Sequence, residues 1–263
     1  RDYSIRMLEL NYQQALFDNR FHFVLGKIDV TNYFNFHGLI VPWQHFIGYT
    51  ASVSGSVNWP DQGLGGVVSF RPTQNLYIMG GLTDVRGDVF REGEFLNFGD
   101  QFQEWKFWKG LEIGYVPSFG ERYFKKISIT YWNSDAYTNV NGDSIDSGEG
   151  VAVSAHWFFQ ERFIPFVRFG ISDGNGENVF YKADIQLGHG YRFLNYDILG
   201  VSLSWNDPNV PDANDQITAE LFYRMNLTAH FEVTPSIQYI SNPTFNPDDN
   251  NLFYLGFRGR ITL

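Results

Sequence analysis

The chain has 263 residues, no Cys, a formal charge of −10 and a pI near 5.0, and no apolar run near the 18 residues that a membrane helix needs. Net acidity without a Lys/Arg stripe argues against nucleic acid as a partner, because nothing would displace counterions from phosphate. Aromatic residues make up 18% of the chain (26 Phe, 15 Tyr, 7 Trp), yet the mean hydropathy is −0.26, a combination a barrel wall produces because every second side chain faces water.

Read in chain order, alternation with a period of two predicts about thirteen or fourteen strands. They run over 4–16, 20–29, 46–58, 64–71, 74–83, 104–116, 122–132, 150–159, 163–172, 179–190, 196–206, 215–227, 231–240 and 251–263. Their faces separate cleanly. Leu111, Ile113 and Tyr115 oppose Glu112 and Gly114, and Ile127, Ile129 and Tyr131 oppose Ser128, Thr130 and Trp132. Val167, Phe169 and Ile171 oppose Arg168 and Gly170, and Ile217, Ala219, Leu221 and Tyr223 oppose Thr218, Glu220, Phe222 and Arg224. Phe253, Leu255, Phe257, Gly259, Ile261 and Leu263 oppose Tyr254, Gly256, Arg258, Arg260 and Thr262. Pro165 and Pro235 fall near strand starts, where a missing N–H costs least.

A soluble half-exposed sheet and a membrane barrel both satisfy such faces. The connections favour the barrel. Short turns at 17–20, 72–73, 118–121, 160–162 and 228–230 alternate with long polar segments at 84–103, 133–149, 173–178, 207–214 and 241–250, the rim asymmetry of an outer-membrane barrel. There is no helical periodicity, fixed repeat or composition shift, so residues 1–263 read as a single all-β, antiparallel transmembrane barrel domain. No charged-then-apolar leader opens the chain, so a signal peptide is either already removed or outside this stretch.

Several segments resemble the carbohydrate-selective porin family of the OprB type. They are Asn58-Trp59-Pro60-Asp61-Gln62-Gly63-Leu64-Gly65-Gly66, Leu76 to Asp84, Glu220-Leu221-Phe222-Tyr223-Arg224, Thr234 to Pro243, and Leu255-Gly256-Phe257-Arg258-Gly259-Arg260. Gly26-Lys27-Ile28-Asp29 and Asp197 to Ser202 fit the same template. The resemblance implies a 16-stranded barrel in the bacterial outer membrane and diffusive uptake of sugars through a narrowed pore. The chain yields fewer strands than that, so the N-terminal part of the barrel is expected to be missing. It ends on Leu263, where such barrels usually carry an aromatic read during assembly.

A sugar presents hydroxyls in many directions and one apolar ring face. A selective lumen therefore wants charged hydrogen-bonding groups, which bond more strongly than neutral ones, and aromatic platforms. By parity the lumen-facing charged residues are Glu112, Arg168, Asp184, Glu220, Arg224, Arg258 and Arg260, with Lys182 near a rim and Trp132 and Phe222 as aromatics. The substrate-binding candidates are Glu112, Trp132, Arg168, Glu220, Arg224, Arg258 and Arg260; Arg168, Glu112, Arg224 and Arg258 sit mid-strand, at constriction depth. The alternative for each is bracing of the wall. Mixed signs predict weak charge selectivity and a preference for neutral solutes.

Ser154 and His156 share one face, but without a Gly-x-Ser-x-Gly or His-Glu-x-x-His pattern no enzyme is expected. Asp173 to Glu177 resembles part of a calcium loop without its distal ligand, and no metal or cofactor is expected. The expected partners are mono- or oligosaccharides and outer-membrane lipid; whether the protein is a homo-oligomer (a trimer) or a monomer is left open. A sugar-preferring passive channel leads. A non-channel barrel of adhesive or structural role, its lumen closed by infolded loops, and an outer-membrane hydrolase are the alternatives.

Overall fold

A computed structural model describes residues 7–41, 44–87, 105–139 and 141–262. Thirteen strands form one antiparallel sheet in which each pairs with its neighbours in sequence. They are β1 (Leu10–Leu16), β2 (Phe21–Ile28), β3 (Gly63–Phe70), β4 (Leu76–Asp84), β5 (Phe107–Tyr115), β6 (Lys125–Ser134), β9 (Gly148–Trp157), β10 (Phe163–Ser172), β11 (Tyr181–Arg192), β12 (Ile198–Pro208), β13 (Gln216–Asn226), β14 (Phe231–Ser241) and β15 (Asn251–Ile261). The remaining two, β7 (Tyr137–Thr138) and β8 (Ser144–Ile145), make a small hairpin in the connection between β6 and β9, which sequence alone did not reveal. The first residues of the run 4–16, most of the segment 84–103 and Leu263 lie outside the described residues. Among the described residues no helix is long and apolar enough to cross a membrane.

The two faces of this sheet invert the pattern of a soluble protein. On the outer face Leu111, Ile113, Ile127, Val167, Leu203 and Ile237 are exposed, and Ile129 is 50% exposed. On the inner face Ser128, Thr130, Ser154, Gln186, Ser202 and Thr218 are buried. Leu221, Ile237 and Phe257, which a two-sheet sandwich would seal in a dry centre, are all exposed. Apolar surface left outward on this scale has one compatible solvent, the lipid bilayer. Aromatic rings mark one boundary of that band along the short-turn rim: Tyr115 stacks on Trp157 at 6.4 Å, Phe163 meets Tyr191 at 5.3 Å, and Phe193 bridges to Tyr223 at 5.9 Å. Interfacial Tyr and Trp keep one end of the ring apolar and the other wet.

The run 46–58 is not a strand. It belongs to the connection between β2 and β3, whose described residues turn inward and include a 3-10 turn at Val30–Asn32 and one helical turn, α1 (Tyr49–Ser52). The alternation of Ser52, Ser54, Ser56 and Asn58 with apolar neighbours reads as a strand pattern, but their polar side chains are buried against the wall and form no ladder. The backbone of Asn35 reaches Glu112 on β5, and that of His45 reaches Arg258 on β15. Ten residues of chain span at most about 35 Å, and the turns that join Ile40 N–H to the His37 carbonyl and His45 N–H to the Val41 carbonyl shorten this stretch far below that limit. Eight strand steps at about 4.8 Å would hold β5 and β15 roughly 38 Å apart in a flat sheet, so the sheet curls around the infolded segment. No ladder joins β1 to β15 among the described residues.

Candidate functional site

The wall residues facing inward hold the infolded segment at three carboxylates. On β5, Glu112 is fully buried and accepts from Tyr77 Oη at 2.5 Å, Thr130 Oγ1 at 2.6 Å and the Asn35 backbone N–H at 2.7 Å. Lys126 Nζ lies 3.5 Å from the same carboxylate and 3.5 Å from the centre of the Phe36 ring, so one cation serves a wall anion and a segment aromatic. On β11, Asp184 accepts from Ser54 Oγ at 2.7 Å and the Ser56 N–H at 2.9 Å. On β13, Glu220 accepts the N–H groups of Ile47 and Gly48 at 2.8 and 2.9 Å. Gly48 is the N-cap of α1 and has no side chain to fix it; Glu220 instead holds the two N–H groups that lead into the helix, the second from 172 residues away in sequence.

Donors complete the seat. Arg168 Nη2 donates to the Ser52 carbonyl at 3.1 Å, Gln186 Nε2 to the Ala51 carbonyl at 2.7 Å, Ser154 Oγ to the Phe36 carbonyl at 3.1 Å, and Arg258 Nη2 to the His45 carbonyl at 2.5 Å. Between these polar ties the segment buries two apolar patches. Phe34 and Trp59 pack on Trp108 at 5.4 and 5.8 Å, in a cluster that includes Trp132. Phe46 meets Phe222 edge-on at 4.8 Å and Phe166 at 5.7 Å, while His37 stacks on Phe166 at 4.1 Å.

Two histidines of the segment are held neutral. His37 Nδ1 accepts the Leu39 N–H at 3.1 Å and its Nε2 faces the Ala51 carbonyl at 3.0 Å, roles that a neutral ring with its proton on Nε2 fills. Burial, reinforced by the Arg168 cation, holds the His37 imidazole well below the usual histidine range. Burial first, then the Arg224 and Arg258 cations, push His45 down to about 3.

All seven substrate-binding candidates carry their side chains on the inner side of the wall, and they divide into two groups. Glu112, Trp132, Arg168 and Glu220 are buried beneath the infolded segment. Arg224, Arg258 and Arg260 keep partial exposure, and Arg260 pairs with Glu232 at 3.3 Å. Tyr254, half exposed, shares the inner face of β15 with Arg258 and Arg260. Lys182 sits at the register shift between Tyr181 and Ala183 and is exposed. Sequence reading passed over Lys126, although its parity with Ser128 and Thr130 was legible. It also missed the segment; once 46–58 is not a strand, residues 29–62 are a connection far longer than the usual four to six residues, which marks an element with its own task. Ser154 and His156 do share the inner face, but the Ser154 hydroxyl is spent on the Phe36 carbonyl.

An antiparallel wall, oily outside and polar inside, with an inward-folded connection narrowing its bore, defines an outer-membrane porin, a channel and not an enzyme. The family model for the carbohydrate-selective porins, OprB family, matches residues 2–125 and 194–263, and the chain belongs to that family. Solved structures repeat the architecture. The high-pH structure of Pseudomonas putida OprB is similar over 97% of this chain and 73% of its own, at 17% identity and a TM-score of 0.75. OmpT of Vibrio cholerae is similar over 95% of this chain and 80% of its own, at 12% identity and a TM-score of 0.57. A triple mutant of Rhodopseudomonas blastica porin is similar over 92% and 73%, at 11% identity and a TM-score of 0.56. At these identities the likeness speaks for the fold. No curated protein sequence matches the chain.

Proposed function

We propose that the protein passes neutral sugars down their gradient, with Arg224, Arg258, Arg260 and Tyr254 touching the solute. Glu112, Trp132, Arg168 and Glu220 shape the bore by seating the infolded segment. What supports the reading is the pairing of opposite charges along the inner wall: Lys126 with Glu112 at 3.5 Å and Arg260 with Glu232 at 3.3 Å. Matched signs cancel at a distance and leave strong donors and acceptors at contact range, which suits an uncharged polyol better than an ion. Transient stacking on Tyr254 would serve the apolar ring face. Binding has to be weak for release, in the millimolar range or about −4 kcal/mol. The test is ion current through single channels in planar bilayers: glucose should block it saturably, and Arg258→Ala should weaken the block. Current indifferent to glucose but blocked by a small anion would overturn the sugar preference.

A further inference from the structure

Where the connections of the long-loop rim meet, Asp61, Val85, Arg86, Gly87, Tyr137, Asn139, Glu177 and Asn178 enclose a cavity of about 230 Å³. These residues come from four places in the chain: the end of the infolded segment, the connection after β4, the β7–β8 hairpin and the connection between β10 and β11. We infer that this cavity is a second sugar site, a monosaccharide pocket at the mouth of the channel and beside the bore. This inference rests on the sugar-preferring reading of the channel.

The lining chooses the ligand class. Glu177 is held from two sides, by the Tyr137 hydroxyl and by Asn139 Nδ2 at 2.9 Å, so the acceptor is preorganised before a ligand arrives. Asp61 is a second carboxylate, and the Arg86 guanidinium, 3.6 Å from Asp84, is a charged donor on the same cavity. Val85 and the ring of Tyr137 are buried and supply an apolar patch. Two carboxylates oppose a phosphate or other anion, and among the described residues no three His, Asp or Glu side chains converge as a bound metal ion needs. A neutral molecule with adjacent hydroxyls uses both signs, because each hydroxyl donates and accepts. The volume lies below the roughly 300 Å³ where drug-sized pockets begin, which suits one sugar ring and excludes a longer saccharide.

The position separates this pocket from passage. Asn178 donates through its backbone to Asn58 Oδ1 at 2.9 Å and through Nδ2 to the Trp59 carbonyl at 2.7 Å. The pocket therefore stands on the arm of the infolded segment that packs against Trp108. None of the lining residues is among Arg224, Arg258, Arg260 and Tyr254, so a sugar held there is bound apart from the groups proposed to touch the passing solute.

The chain contains no Cys, so one introduced thiol is a unique reporter. In Val85→Cys, at a lining position that carries none of the cavity's polar groups, labelling of the thiol in detergent micelles should slow saturably, by severalfold, as D-glucose is added. Adding Glu177→Gln should remove that protection. Asn141→Cys, on the β7–β8 hairpin and outside the lining, should not respond. If labelling of the pocket thiol ignores glucose while glucose still blocks the current, the pocket inference falls and the channel reading stands. If glucose affects neither, both fall. Protection by calcium and not by glucose would make this a cation site and overturn the inference.

Discussion

Replacing Glu220 by Ala should loosen the infolded segment at its best-defined tie. Its carboxylate accepts two backbone N–H groups, from Ile47 and Gly48, at 2.8 and 2.9 Å. Hydrogen bonds to charged groups contribute roughly 1.5–3 kcal/mol each. Lumen water can reach the vacated N–H groups and recover part of that, so a net loss of about 2–4 kcal/mol is expected. At about 1.4 kcal/mol per tenfold, the displaced arrangement gains roughly 30- to 1000-fold in population. Single-channel recording should therefore show a larger mean conductance and added open-channel noise. Gly48→Ala is an independent route to the same tie, since its Cβ would stand 2.7 Å from Glu220 Oε2. The two substitutions together should do little more than either alone, because they break one interaction. A conductance and noise indistinguishable from the parent protein, in a Glu220→Ala variant with an intact barrel, would refute the seating role.

Acidification should act in the same direction. His37 and His45 are held far below 6.5 while the segment is seated, and a released segment would titrate near 6.5. Above that pH both arrangements are neutral and nothing changes; below it the released state takes up protons that the seated state refuses. For His45, held at about 3, the seat should weaken by about 1.4 kcal/mol per pH unit, or about 2 kcal/mol at pH 5, and His37 acts in the same direction. Protease cleavage within 29–62 should rise between pH 6.5 and 5, and His45→Gln should flatten that rise; an unaltered profile in His45→Gln would exclude His45 as a contributor. On the outer face, Ile129→Arg places a charge mid-strand on β6 and should cost about 2–4 kcal/mol of stability in lipid vesicles. An unchanged urea midpoint would mean that this face does not touch hydrocarbon.

Much of this architecture was legible because a strand's facing is a local property. Side chains alternate across the pleat, so a reading confined to Ile127–Trp132 already separates the lipid side from the lumen side. The same parity placed Glu112, Arg168, Glu220, Arg224, Arg258 and Arg260 inward without knowledge of their neighbours. Loop lengths, also local, distinguished the two rims. The run 46–58 escaped because a buried polar stripe against a wall and a strand with one wet face share a period of two over a few residues.

What the sequence determined by itself was the facing of the wall strands, since backbone geometry repeats every two residues whatever lies beyond. Only the tertiary structure decided which inward charges meet water and which are sealed. That depends on pairs such as Asn35 with Glu112 and His45 with Arg258, separated by 77 and 213 residues. No local pattern carries such pairings; the curl of the sheet brings them together, and the same curl brings Asp61, Arg86, Tyr137 and Glu177 around one cavity.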